Sequence, residues 1–350
     1  MKASATVQSP SSEERPARLA PLPTRQRRMD QAFRFATWLA AWLTVALLVW
    51  IAGTIGYEAA PGFKEFGLRF LTTRQWDPNA HQFGILPQIW GTVYSSALAL
   101  LLATGLGLAV AILLGEHLLA QSIRDLMRRL GFGTSGPASW LPDKCESLLN
   151  TLVELLAAIP SVVYGLWGIF VLIPLLRPAC NWLNSHFGSV PFFSTPLSGP
   201  GLLPAVLVLA IMIVPTITAV SRDALFGVPR SLREGAYAVG ARRWETILGM
   251  TLPAAAPGII GAVVLGLGRA LGETMALAML VGNANTVKLS LFSPANTLAA
   301  LLANTFPEAG RDQVPVLMYA ALVLMGITLA VNVLGTLVLQ RAGVVGKEPS

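Results

Sequence analysis

The sequence predicts an all-α, polytopic membrane protein with six transmembrane helices. Hydrophobic residues make up 54% of its 350 residues and charged residues only 12%, about half of the ~25% that is usual in a soluble domain. The mean hydropathy is +0.61. Six apolar segments are each long enough to cross a hydrocarbon layer of ~30 Å as a helix: residues 35–57, 88–115, 148–176, 201–221, 254–282 and 314–340.

The basic residues predict which side of the membrane each loop faces. Six spans place both termini on the same side. The N-terminal tail, the second and fourth loops and the C-terminal tail hold 18 of the 25 Lys and Arg residues, whereas the other three loops hold six. By the positive-inside rule the first group is cytoplasmic. The formal net charge of +7 therefore reflects membrane topology, and we expect no nucleic-acid partner.

Composition divides the chain into four regions. Residues 1–34 are basic and rich in Ser, Pro and Ala, and we expect a disordered cytoplasmic tail there. Residues 35–87 hold the first span, which we expect to be an uncleaved anchor, and the first external loop. Residues 88–340 form the main transmembrane module, with a cytoplasmic loop at 222–253. Residues 341–350 form a second cytoplasmic tail.

Several enzyme classes are excluded by their missing motifs. The Gly346-Lys347 pair is not followed by Ser or Thr, so the phosphate-binding loop of ATPases is missing. No G-x-S-x-G motif of a hydrolase occurs. The three histidines lack a second ligand at metal spacing: His81, His117 and His186. We therefore expect no catalytic residue and no metal site in this chain.

Prolines and small residues indicate helices that pack within a bundle. The third and fourth spans contain prolines, which need neighbouring groups to satisfy the freed carbonyls: Pro160, Pro174, Pro204 and Pro215. The second span carries a small residue at every fourth position, which permits close helix contact: Ala103, Gly107, Ala111 and Gly115. Cys145 and Cys180 fall in loops on opposite sides, so we expect two free thiols.

The fifth span carries two charged residues, Arg269 and Glu273, followed by Thr274. A central Arg costs ~2.5–3.5 kcal/mol on the insertion scale, so it needs a compensating role. Four residues apart, the two charges share one helix face and can pair. Two interpretations stay open: an ion pair that braces the bundle, or an anion pathway past the guanidinium, which can donate two parallel hydrogen bonds to an oxyanion. Glu154, early in the third span, faces either the same interior or the interface.

The fourth loop carries the pattern of two short helices. Ser231 and Glu234 match the S-x-x-E capping box, which predicts that a helix begins there. Gly235 and Ala236 leave a thin surface that can insert into a groove of another protein. A glycine then permits a sharp turn before a second helix, and we expect Pro253 to end that helix before the fifth span.

This loop resembles the EAA loop of importer-type ABC transporter permeases, E-A-A-x3-G-x9-I-x-L-P. Glu234 and Gly240 have the family spacing, Gly235 replaces the first Ala, and Met250 replaces the Ile. In that family the loop is the coupling helix that sits in a cleft of the ATP-binding subunit. The resemblance implies a coupling role for these residues: Ser231, Glu234, Gly235, Ala236, Gly240, Arg243, Leu252 and Pro253.

Further motifs resemble the PstC-type permease of the phosphate importer over roughly residues 35–340. They are Trp76-Asp77-Pro78, the segment 159–168 and the run from Gly268 to Met275. The resemblance implies the fold of a type I ABC importer permease in the bacterial inner membrane. It also implies four partners: a homologous permease of PstA type, a dimer of ATP-binding subunits of PstB type, a periplasmic phosphate-binding protein of PstS type, and the lipid bilayer.

The expected function is therefore one half of the pathway of an ATP-driven phosphate importer. ATP and Mg would bind to the partner ATPase, and this chain would bind no cofactor and have no ATPase site of its own. Two alternatives stay open. A single Arg does not distinguish phosphate from sulfate or molybdate, so the cargo can be another oxyanion. A membrane scaffold or sensor would use the cytoplasmic loop to recruit a partner without transport.

Overall fold

A computed structural model describes residues 24–129 and 140–341. This part of the chain is helical and contains no β-strand, only an isolated bridge between Asp77 and Gln82. Two π-helical turns are also present, Gly168–Leu172 and Ile247–Thr251. The helices are α1 Thr24–Phe66, α2 Arg69–Thr72, α3 Leu86–Gly115, α4 Leu118–Arg129, α5 Leu141–Ala158, α6 Ser161–Trp167, α7 Ile173–Phe187, α8 Leu202–Phe226, α9 Arg230–Ala238, α10 Arg243–Thr246, α11 Leu252–Gly272, α12 Met275–Leu280, α13 Leu298–Thr305 and α14 Val314–Arg341.

The predicted number of six spans is confirmed. Six helical stretches are long and apolar enough to cross a membrane: Arg28–Phe66, Leu86–Gly115, Ser161–Phe187, Leu202–Phe226, Arg243–Gly272 and Val314–Gln340. The second, fourth and sixth begin within two residues of the predicted positions. The bounds of the first, third and fifth spans differ more from the prediction.

The chain forms two units, residues 1–54 and 55–350. In the first unit, the described residues belong to α1, and nearly all of their side chains are exposed. The predicted disordered tail was wrong for residues 24–34, which are helical. That stretch contains neither Pro nor Gly, so nothing in it opposes extension of the helix. The rest of this tail, and the predicted C-terminal tail beyond residue 341, lie outside the described residues.

In the second unit, α3 and α8 pack against each other through the predicted stripe of small residues, all four of which are buried. A Cβ atom on Gly107 would lie 3.0 Å from Cγ2 of Ile217, and one on Gly115 would lie 3.4 Å from Cβ of Leu225. Thr218 Oγ1 donates a hydrogen bond to the carbonyl of Gly107 at 3.2 Å. The helix backbones therefore approach closely, as small residues allow.

The third span is shifted from its predicted position. Ile159 has extended backbone angles, φ −68° and ψ 128°, because the proline that follows it disfavours a helical conformation. The chain breaks there, α5 ends at Ala158, and the span runs from Ser161 to Phe187. Glu154 therefore precedes the span instead of lying early in it, and Cys145 lies within α5. Both Cys145 and Cys180 are free thiols.

The fifth span ends earlier than predicted, at Gly272, and a short helix α12 follows it. The chain then runs without helix through residues 281–297, a stretch we call the return segment. It folds back on the start of α8, where the amide of Leu202 donates to the carbonyl of Ser293 at 3.0 Å. It also contacts the start of α3, where Gln88 Nε2 donates to Asn285 Oδ1 at 2.7 Å.

Candidate substrate cavity and coupling segment

Arg269 lies in the last turn of α11 and points toward α8. Its Nη1 donates a hydrogen bond to Thr216 Oγ1 at 3.2 Å. Thr216 lies near the middle of α8 and directly follows Pro215, a proline inside that helix. The contact places the guanidinium beside the middle of α8, one of the six helices long and apolar enough to cross a membrane. Arg269 itself lies three residues from the end of the fifth span and not near its middle, where the sequence had placed it, because this span ends at Gly272.

A cavity of ≈ 490 Å³ adjoins Arg269. Thr328 and Asn332, both close to the middle of α14, contribute a hydroxyl and an amide to its wall. Asn332 lies directly beside Gly268, where an added Cβ atom would meet Asn332 Oδ1 at 3.4 Å. A guanidinium, two hydroxyls and an amide thus face one space, which is lined by Thr216, Leu265, Gly268, Arg269, Thr328 and Asn332.

The predicted pairing of Arg269 with Glu273 was wrong. The spacing of four residues aligns two side chains only while the helix continues, and Glu273 is extended, with φ −68° and ψ 123°. No ion pair joins these two described residues. Glu273 Oε1 instead accepts a hydrogen bond from the amide of Ala276 at 3.4 Å, and Thr274 Oγ1 donates to the carbonyl of Gly272 at 3.0 Å. The polar groups at the break are therefore satisfied locally.

Glu154 does not line the Arg269 cavity. Its Oε1 accepts a hydrogen bond from Asn150 Nδ2 at 2.8 Å, and Asn150 Oδ1 accepts one from Arg222 of α8. Arg222 lies six residues beyond Thr216, about 9 Å along the helix at 1.5 Å per residue. Glu154 thus belongs to a separate polar cluster between α5 and the C-terminal end of α8.

The predicted pair of short helices is present as α9 and α10, and we call residues 230–251 the coupling segment. The predicted capping box was wrong. Pro229 is the residue that precedes the helix, Ser231 lies in its first turn, and no side chain caps the start. A glutamate does cap the second helix, where Glu245 Oε2 accepts a hydrogen bond from the amide of Arg242 at 2.7 Å.

The two faces of α9 differ in what they contact. Glu234 and Gly235 are exposed, and a Cβ atom on Gly235 would meet nothing within 4 Å. Ala236, in contrast, is 2% exposed, so its small side chain lets α9 pack on its own chain. The prediction that both small residues form one outward surface was therefore wrong for Ala236.

Exposed apolar side chains surround the turn at Gly240, which the motif spacing alone does not reveal. Gly240 has φ +87°, a conformation that favours glycine. Val239 is 84% exposed, and large apolar side chains on both sides of it are also exposed. The sequence signal for this surface was an apolar residue at each of these positions in a cytoplasmic loop: Leu232, Tyr237, Val239 and Trp244.

The remaining coupling residues bind to their own chain or continue into the fifth span. Arg243 Nη2 donates to the carbonyl of Glu116, and Leu252 packs on a core that includes Ala111. Pro253 does not end the helix as predicted, because Arg243–Gly272 is one continuous stretch. Pro253 lies in the first turn of α11, directly after the π-helical turn, and a proline is tolerated in the first turn of a helix.

Comparison with known proteins identifies the family. Residues 131–343 match the family described as binding-protein-dependent transport system inner membrane component. The chain is 39% identical to the phosphate transport system permease protein PstC of Mesorhizobium japonicum, over 86% of each sequence. It is 38% identical to the PstC protein of Haemophilus influenzae, over 90% of this chain and 95% of that protein.

Solved structures support the fold. A crystal structure of a bacterial alginate ABC transporter aligns with a TM-score of 0.56 at 16% identity, over 90% of this chain and 96% of that one. An inward-facing structure of the MetNI methionine ABC transporter aligns with a TM-score of 0.50, over 74% and 95%. The fold is that of an ABC importer permease, and the chain is a multi-pass membrane protein that belongs to the binding-protein-dependent transport system inner membrane components, among the PstC-type permeases.

Proposed function

We propose that this chain forms half of the transmembrane pathway of an ATP-driven phosphate importer. The observation that carries the proposal is the Arg269 cavity, where the guanidinium meets hydroxyls and an amide near the middle of α8 and α14. An ionised residue at this depth is costly unless it serves a substrate or a partner. The names of the PstC relatives point to phosphate as the anion.

In this proposal, Arg269 attracts the anion, and Thr216 and Asn332 supply further hydrogen-bonding groups. Glu273 lies four residues beyond Arg269, and its carboxylate repels an anion, which keeps the anion from being held too long. Phosphate selectivity resides mostly in the external binding protein, so this cavity has only to let an anion pass. The chain has no ATPase site and binds no cofactor.

The coupling segment connects this chain to the source of energy. We infer that the exposed face of α9, with Glu234 and Val239, docks into a cleft of an ATP-binding subunit of PstB type, which binds ATP and Mg. A PstA-type permease completes the pathway, and a PstS-type protein delivers phosphate. Both termini are cytoplasmic, in keeping with the distribution of basic residues. Closure of the ATPases moves the coupling segment, so the cavity opens alternately to each side.

Uptake measurements test the cargo and the pathway together. The chain is expressed with its partner subunits in a bacterial strain that lacks its own phosphate importer, and uptake of radiolabelled phosphate and sulfate is compared. We expect phosphate uptake, and a loss of roughly tenfold or more in Arg269→Gln, which corresponds to ~1.4 kcal/mol. Arg128→Gln, a loss of an exposed charge on α4, is the matched control.

Each alternative gives a different result in this assay. Uptake of sulfate without phosphate would replace the proposed cargo by another oxyanion. Normal phosphate uptake in Arg269→Gln would contradict the pathway. If, in addition, changing Gly240 abolished the cellular function, the chain would act as a scaffold that recruits a partner through its loop.

A further inference from the structure

A buried acid joins the C-terminal end of α3 to the coupling segment. Glu116 directly follows α3 and is only 7% exposed. Its Oε1 lies 3.2 Å from Nη2 of Arg233 in α9. Its backbone carbonyl accepts a hydrogen bond from Arg243, at the start of α10. Both helices of the coupling segment therefore contact the same residue.

Arg233 also binds the end of α8. Its Nη2 donates to the carbonyl of Leu225 at 2.8 Å, and Leu225 is fully buried. The C-terminus of a helix carries a partial negative charge and unsatisfied carbonyls, so an arginine is well placed there. One guanidinium thus contacts the ends of two spanning helices, α3 and α8.

These contacts continue to the cavity. Helices α3 and α8 pack closely at Gly107 and Gly115. We therefore expect a force on the C-terminal ends of these helices to move both of them together. Thr216, in the same α8, accepts the hydrogen bond from Arg269. The path from α9 to the cavity therefore runs through the ion pair of Arg233 with Glu116, then through the packed helices α3 and α8. It ends with the hydrogen bond from Arg269 to Thr216.

We propose that Glu116, Arg233 and Arg243 form a clamp that makes the α3–α8 pair follow the coupling segment. This inference rests on the proposed function. Within the described residues, Arg233 Nε is buried without a hydrogen-bond partner, and Glu116 Oε1 accepts no aligned hydrogen bond. Among the ion pairs of the described residues, Glu116 and Arg233 each pair only with the other. Moving α9 alone would leave a buried carboxylate without its counter-charge, which is costly.

The clamp is distinct from the surface that would meet the ATPase. Glu116 and Arg233 face the interior of the chain, whereas Glu234, the next residue along α9, is exposed. A change in the clamp should therefore leave docking of the ATPase intact and affect only the helix movement that docking drives. Glu116 is a positioning residue in this scheme, since it contacts no substrate.

The test uses the purified complex with its ATPase and binding protein in proteoliposomes. ATP hydrolysis and phosphate uptake are measured together, and the readout is the number of ATP molecules hydrolysed per phosphate. We expect Glu116→Gln and Arg233→Gln each to raise this ratio several-fold while the subunits still co-purify. The double variant Glu116→Gln/Arg233→Gln should hydrolyse no more ATP per phosphate than the more impaired single variant. The reason is that it leaves no unpaired charge. Asp125→Asn, on exposed α4, is the matched control.

The conservative variant Glu116→Asp separates coupling from folding. It keeps the charge, so its ratio should lie nearer to that of the wild type. An unchanged ratio in both single variants would overturn the clamp. Failure of every Glu116 variant to assemble would also overturn it, since the residue would then serve folding alone. If the wild-type complex transported sulfate and not phosphate, the proposed cargo would be wrong. The number of ATP molecules hydrolysed per sulfate would still test the clamp.

Discussion

Replacing Gly91 by Ala should displace the return segment from α3. The backbone of Asn296 occupies the space that a side chain at Gly91 would need. A Cβ atom there would lie 3.0 Å from the carbonyl carbon of Asn296 and closer still to its oxygen. Because the obstacle is backbone and not the tip of a flexible side chain, the return segment must move to admit the methyl group.

The expected loss of stability comes from the contacts that this movement strains. Overpacking of a tight site costs ~1–3 kcal/mol. Four hydrogen bonds join this region to α3, and each contributes ~0.5–1.5 kcal/mol net. If two of the four are lost, the cost rises by ~1–3 kcal/mol, so we expect a total loss of stability of ~2–6 kcal/mol. The four bonds are Gln88 Nε2 to Asn285 Oδ1 at 2.7 Å, Trp90 Nε1 to the Lys288 carbonyl at 3.2 Å, Tyr94 Oη to the Leu289 carbonyl at 2.9 Å, and the Leu298 amide to Thr92 Oγ1 at 2.9 Å.

Gly105→Ala is the matched control, because it makes the same change in the same helix. A Cβ atom on Gly105 would meet nothing within 4 Å, and Ala favours a helix interior by ~1 kcal/mol over Gly. The assay is thermal denaturation of the purified proteins in detergent, followed by the loss of the monodisperse peak in size-exclusion chromatography. If Gly91→Ala resisted heat as well as Gly105→Ala, the packing argument would be refuted.

Three further predictions concern packing, the turn and topology. Gly107→Val should destabilise the α3–α8 contact by ~1–3 kcal/mol in the same denaturation assay, because Ile217 already fills the space; unchanged stability would contradict the close packing. Gly240→Val should reduce ATP-driven uptake more than Gly240→Asn, since φ +87° disfavours a β-branched residue; equal uptake would show that the turn tolerates either. A membrane-impermeant maleimide should label half-buried Cys145 only in inside-out vesicles, with Cys145→Ser as background; labelling in intact spheroplasts would reverse the proposed orientation.

Hydropathy predicted the number of spans because that signal is summed over twenty or more residues. It could not reveal the break at Ile159, since the apolar residues on both sides of Pro160 form one continuous run. The break is a backbone effect of proline on the preceding residue. The same limitation placed Glu154 inside a span that in fact begins at Ser161.

The sequence singled out Arg269 as a candidate but did not predict which residues lie beside it. The predicted partner, Glu273, was inferred from a helical spacing, and the helix ends one residue too early for that spacing to hold. Thr216 and Asn332 lie far from Arg269 in sequence, so no local rule joins them. Their only signal was a polar residue within an otherwise apolar helix, which by itself does not say which helix it faces.

Both partners of the bond between Arg269 and Thr216 are connected to the coupling segment, but by different routes. Arg269 is connected through its own helix, because Arg243–Gly272 is one continuous stretch with a single π-helical turn. Thr216 is connected through Arg233, which binds the end of α8. A rigid displacement of α9 and α10 thus pulls on both sides of the bond. The first route contains the π-helical turn Ile247–Thr251, and such turns are frequent at functional sites.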